Sequence, residues 1–246
     1  MLEGLGGDAN TYSPFFGSAG TLFFHTQGAR GIALIRAQID AKGRILETTR
    51  LVDDGARNFH VRPSPDAKQI AFDSDRGGER GVYVAEAGGA AVRKVSGTGY
   101  AAVPSWSPDS QSLVFVRAEP KRGRVWNLWH LTLQSSKLRR LTSYAYGQTW
   151  GGSWFPDGRR IAYSHEDRLI VLDLAGSTRR VYRSPRRGRL VRTPAVSPDG
   201  RQILFQLFRD GAWLLDLSSG NDAATPRGSV GRGVRLVGRR RASRVP

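Results

Sequence analysis

The sequence predicts an all-β chain folded as a β-propeller of four-stranded antiparallel blades, and three observations carry that prediction. Pro-Asp dipeptides recur at Pro65-Asp66, Pro108-Asp109, Pro156-Asp157 and Pro198-Asp199, with spacings of 43, 48 and 42 residues. Each is followed by a short β-rich run with large residues two apart, such as Ile70-Ala71-Phe72 and Ile161-Ala162-Tyr163, so both large side chains face one side. No helical periodicity separates the copies. A turn motif returning every 40–50 residues or so marks a propeller blade. A β-sandwich would also give short strands, but not one turn at a fixed period.

Within each copy the elements follow in order. The Pro-Asp turn comes first: Pro presets φ, Asp caps the turn through its side chain, and Gly accepts a positive φ. A second β-run follows, at Val82-Tyr83-Val84, Leu128-Trp129-His130-Leu131, Leu169-Ile170-Val171-Leu172 and Trp213-Leu214-Leu215. After a turn such as Gly88-Gly89, a further strand closes the unit at Val92–Val95, Leu138–Thr142 and Arg180–Tyr182. A degenerate copy, Phe16-Gly17-Ser18-Ala19-Gly20-Thr21-Leu22-Phe23-Phe24, precedes these four. The expected division is a lead-in at 1–10 and blades at about 11–54, 55–98, 99–147, 148–187 and 188–220. That makes about five blades, an incomplete ring of six or more. The equivalent aromatics Phe24, Phe72, Phe115, Tyr163 and Phe205 are expected to be buried between blades. Trp106 and Trp154, two residues before their turns, read as inter-blade packing.

The bulk numbers bound the function. The 246 residues suffice for one large all-β domain or two small ones. There is no cysteine, which removes disulfides, thiolate metal sites and cysteine nucleophiles. No apolar run approaches the roughly 18 residues of a membrane helix. Met1–Asn10 has neither the basic nor the apolar region of a signal peptide. The net charge is +17, but 33 of the 38 basic residues are Arg, the skew of GC-rich coding. Without 221–246 the charge falls to +11, spread along the repeats without a dense stripe, so a nucleic-acid partner is not expected.

Residues 221–246 break the pattern, with seven Arg, one acid and no aromatic side chain. They read as a disordered basic tail or as the product of a shifted reading frame. With a permissible choice of codons, the text one nucleotide later supplies the missing strand and a sixth Trp-Ser-Ala-Asp-Gly turn.

The copy from Ser64 to Val84, with Ser74-Asp75-Arg76-Gly77-Gly78 and Val82-Tyr83-Val84, resembles the PD40 repeat of TolB-like propellers, a WD40-like repeat. The resemblance covers about residues 12–220. It implies a non-catalytic scaffold for a protein or peptide, and a periplasmic location. It also extends to the propellers of prolyl-oligopeptidase-like peptidases, which keep their serine on a separate domain at Gly-x-Ser-x-Gly. That motif is absent from this sequence.

The segments leading into each Pro-Asp turn converge at a propeller's axial channel. They offer His60, Arg62, Tyr100, Trp150 and Arg192, a cationic and aromatic set suited to an acidic peptide or a sugar. No catalytic residue, cofactor or metal is assigned. His25, His60, His130 and His165 are far apart in sequence, and His165-Glu166-Asp167 reads as a solvated strand connection. The alternative to a scaffold is the propeller part of an enzyme, either a truncated peptidase or a metal-dependent lyase.

Overall fold

A computed structural model describes residues 11–18, 20–28, 30–119, 125–175, 179–217 and 234–236. Blade one comprises β1 (Thr11–Phe16), β2 (Thr21–Gln27), β3 (Ile32–Ile39) and β4 (Ile45–Val52). Blade two comprises β5 (Asn58–Pro63), β6 (Gln69–Ser74), β7 (Gly81–Glu86) and β8 (Arg93–Lys94). Blade three comprises β9 (Ala101–Trp106), β10 (Ser112–Glu119), β11 (Val125–Thr132) and β12 (Lys137–Arg140). Blade four comprises β13 (Thr149–Trp154), β14 (Arg160–His165), β15 (Arg168–Asp173) and β16 (Arg179–Arg183). Blade five comprises β17 (Val191–Val196), β18 (Gln202–Leu207), β19 (Gly211–Asp216) and β20 (Val234–Leu236). Every blade is an antiparallel meander in chain order. The first strands touch one another from blade to blade, so they line the axis. Among the described residues no helix is long and apolar enough to cross a membrane.

Each Pro-Asp turn links the first and second strands of its blade, as the repeat predicts. In blade two the Ser64 hydroxyl donates to Asp66 Oδ1 at 2.6 Å, which also accepts the Lys68 N–H, while Gln69 N–H donates back to Ser64 Oγ. Ser107/Asp109 and Ser197/Asp199 repeat the arrangement. In blade four Phe155 replaces the serine, and Asp157 accepts the Arg159 and Arg160 N–H groups instead. The residue after Asp is left-handed in all four: Ala67, Ser110, Gly158 and Gly200.

The core is distributed between blades. Phe72 packs in the cluster shared by blades one and two, Phe115 between two and three, Tyr163 between three and four, and Phe205 between four and five. These four are buried, and Phe24 is buried as well, though in a cluster of blade-one residues alone and not between blades. The two tryptophans before the turns are staples as well as filler. Trp106 Nε1 donates to the Arg62 carbonyl at 2.9 Å and Trp154 Nε1 to the Ser105 carbonyl at 3.2 Å. Each thereby ties its inner strand to the preceding one. Close approach also fixes blade one on blade two: a Cβ at Gly89 (φ 90°) would lie 1.9 Å from the Leu51 carbonyl oxygen, so only glycine fits.

The fifth blade differs from the others. The second strands of blades one to four are buried on both faces, whereas in β18 Ile203, Phe205 and Leu207 are buried while Leu204 and Gln206 are exposed. Leu204 retains 45% of its surface. Among the described residues no buried cluster joins blade five to blade one. The anomalous 221–246 segment lies outside the described residues, except that Val234–Leu236 pairs with β19.

Candidate binding rim

Every inner strand carries the same irregularity. The ladder between first and second strands slips once per blade, beside Ser13, His60, Val103, Gly151 and Thr193. All five have positive φ, between 45° and 58°. Such bulges bend a strand and re-aim its side chains. Val103 and Thr193 are β-branched residues in a conformation that normally excludes them, so blade packing holds them there.

The entrances to the inner strands carry a continuous band of rings and cations. It starts at Asp73, which is fully buried at the end of β6. His60 Nδ1 lies 2.9 Å from Asp73 Oδ1, Arg80 pairs with the other oxygen, and Val103 N–H donates to Oδ1 at 3.0 Å. Burial alone would push this carboxyl up, but His60 and Arg80 together with the Val103 N–H hold it below the usual range. The His25 ring stands 6.1 Å from His60. Burial first, and then the neighbouring His60, lowers His25 to about 4, so it is neutral at pH 7.

From Asp73 the band crosses to the next blades. The Arg80 guanidinium lies 4.0 Å from the centre of Phe59 and 6.0 Å from that of Tyr100. Tyr100 meets Trp126 at 5.4 Å, and Trp126 meets Trp150 at 5.1 Å. Arg192 stacks 4.7 Å from Trp150 and 4.1 Å from Phe208. The indole N–H groups of Trp126 and Trp150 and the Arg192 Nε–H have no hydrogen-bond partner among the described residues. Ring faces of this kind stack on planar or apolar groups, and the Arg192 guanidinium attracts anions.

The structure therefore brings His60, Tyr100, Trp150 and Arg192 onto one band, while the Arg62 side chain lines a cleft at the far ends of the inner strands. Sequence reading missed Asp73, Arg80 and Trp126. The signal for Asp73 was available: it occupies the repeat position that holds Val116, Ser164 and Gln206 in the later copies, a position buried in blades three and four. An acid at such a position requires a cation beside it.

His165 corrects the expectation of a solvated His-Glu-Asp run. It is buried as the last residue of β14 and stacks on Tyr144 at 3.5 Å, while Glu166 turns back to accept the Gln148 N–H at 2.7 Å. Among the described residues no three His, Asp or Glu side chains are grouped to hold a metal ion.

Four-stranded meanders around an axis, with a side-chain band across the strand entrances, define a β-propeller. The family model described as the TolB beta propeller domain, PD40, matches residues 11–180, and the chain belongs to that family. It is 25% identical over 172 residues to an "Uncharacterized peptidase YuxL" of Bacillus subtilis (strain 168), a match covering 69% of this chain and 23% of that protein. The chain thus spans under a quarter of that relative's length. Among solved structures it is similar to TolB from Acinetobacter baumannii, with a TM-score of 0.68 and 18% identity over 82% of this chain and 51% of the other. A putative TolB from Agrobacterium tumefaciens gives 0.64 and 18%, over 87% and 73%. A chain of a nidogen/laminin complex gives 0.68 and 12%, over 84% and 76%. At these identities the likeness is one of fold.

Proposed function

We propose that this chain is a non-catalytic propeller that binds a protein segment or peptide across the band from His60 to Arg192. The observation that supports it is the run Tyr100–Trp126–Trp150–Arg192, which sets three mutually tilted aromatic rings and one cation over three blades. A peptide with aromatic and acidic residues complements such a surface. The test is a panel of acidic-aromatic peptides and neutral oligosaccharides titrated against the full chain. Trp150→Ala and Arg192→Ala should each weaken peptide binding at least tenfold; the arginine variant should unfold near the parent midpoint, whereas the tryptophan variant also loses packing on the core between blades three and four. A ligand held on the outer strands and indifferent to both changes overturns the proposal, as does selective binding of the oligosaccharides.

The similarity to a protein named as a peptidase favours a second reading, in which the propeller serves an enzyme whose hydrolytic domain lies elsewhere. Peptide hydrolysis by the gene product, lost when a serine outside residues 1–246 is replaced, would establish it.

A further inference from the structure

A cavity opens at the opposite ends of the inner strands. It has a volume of about 290 Å³ and lies between the ends of β1, β5 and β9. Phe15, Phe16, Ile70 and Trp106 supply apolar wall, and Arg36 and Arg62 supply charge. No acidic side chain lines it among the described residues. We propose that this cleft binds a carboxylate carried on a compact apolar or aromatic body, with the anion at Arg62 and Arg36 and the body against Phe15, Phe16 and Trp106.

Three features carry this. Phe16 is 70% exposed and Phe15 39% exposed, a pair of aromatic rings left at a lip rather than folded into a blade. The Arg62 guanidinium sits 4.7 Å from the Phe15 ring, and among the described residues its one hydrogen bond runs to the Val61 carbonyl at 3.0 Å, leaving most of its donor fork to a planar anion. Burial lowers Arg62 to about 10, against the pull of Asp73. The group stays charged at pH 7 in a setting where an anion counts for more than it does in water. Arg36, held at 3.4 Å from Thr49 Oγ1, adds a second cation from blade one. The volume is at the small end of ligand sites and suits one aromatic residue or a small aromatic acid.

That chemistry has two sources, a free aromatic acid or the C-terminal carboxylate of a polypeptide ending in an aromatic residue. Calorimetric titration of the full chain with 3-phenylpropionate and its amide, and with Gly-Gly-Phe and its C-terminal amide, separates them. Each acid that binds should do so at least tenfold more tightly than its amide. Binding by the tripeptide alone assigns the site to a chain end, binding by the small acid alone to a free metabolite, and either supports the proposal. Arg62→Met and Arg36→Met should remove the preference for acid over amide. Phe16→Ala, at the exposed lip where folding is not at stake, should weaken acid and amide alike by at least threefold. Equal affinity for acid and amide, an acid preference that survives both arginine changes, or no binding by the parent chain at millimolar ligand overturns the assignment.

Discussion

The Asp73 carboxylate accepts the backbone N–H of Val103 at 3.0 Å, tying the second strand of blade two to the bulge in the inner strand of blade three. The same carboxylate is the counter-charge of Arg80 and the hydrogen-bond partner of His60. One side chain therefore fixes a strained backbone position and the first cation of the rim. The bulge at Val103 and the band across the entrances are parts of a single arrangement.

Removing Asp73 should accordingly be costly. Asp73→Ala leaves Arg80 without its partner and the Val103 N–H without an acceptor, and breaking a buried pair in this way costs about 3–5 kcal/mol. Asp73→Asn keeps a carbonyl for Val103 and loses only the charge, so it should cost less. Chemical denaturation of both variants measures the difference. A loss below about 1 kcal/mol for the alanine variant would show that the pairing is not what holds the bulge.

Acid should weaken the fold in two separate windows. His25 is lowered by burial, and further by His60, from 6.5 to about 4. Between those values the unfolded chain takes up a proton that the folded chain refuses. The His25 contribution is thus fully present above pH 6.5 and is lost as the pH falls towards 4. His130 and His165 are lowered by burial in the same direction. Asp73 is held below its ordinary 3.8, so its contribution is present above 3.8 and is lost at still lower pH. Denaturation midpoints at a series of pH values should fall in both windows. His25→Gln should flatten the upper limb and leave the lower one. An upper limb unchanged by that substitution would show that other groups carry it.

The blades were legible because their turns are chemical. Pro, Asp and a flanking Ser fix a hydrogen-bond pattern that recurs in three of the four Pro-Asp turns, and a period of that kind survives in the text. The bulges were not legible, since four of the five residues that hold them are not glycine. Ser13, His60, Val103 and Thr193 take a left-handed conformation through packing, which no residue type announces. The rim was legible in part. His60, Tyr100, Trp150 and Arg192 precede their turns at readable positions. Trp126, the link between Tyr100 and Trp150, sits at the start of β11 and reads as one more apolar residue of a core strand. Arg62 was read by position alone, and two places beyond the bulge its side chain lines the opposite cleft.

The turns also predict an asymmetry that the repeat alone conceals. Ala67 and Ser110 occupy the left-handed position (φ 57° and 61°) that Gly158 and Gly200 fill in the later blades. A left-handed non-glycine residue costs roughly 1–2 kcal/mol, and glycine returns about 0.5–1 of that through its freer unfolded chain. Ala67→Gly should therefore stabilise the protein by about 0.5–1 kcal/mol. Ser110→Gly gains the same relief but loses a bond between blades, because the Asp66 N–H donates to Ser110 Oγ at 3.1 Å. A hydrogen bond of that kind is worth about 0.5–1.5 kcal/mol, so the two effects should nearly cancel. Ser110→Ala, which loses the bond and keeps the strain, should be the least stable of the three. Urea denaturation of the single variants orders them. Equal shifts for Ala67→Gly and Ser110→Gly would mean that the bond between the two turns contributes nothing, and a loss of stability in Ala67→Gly would mean that the left-handed turn is not strained.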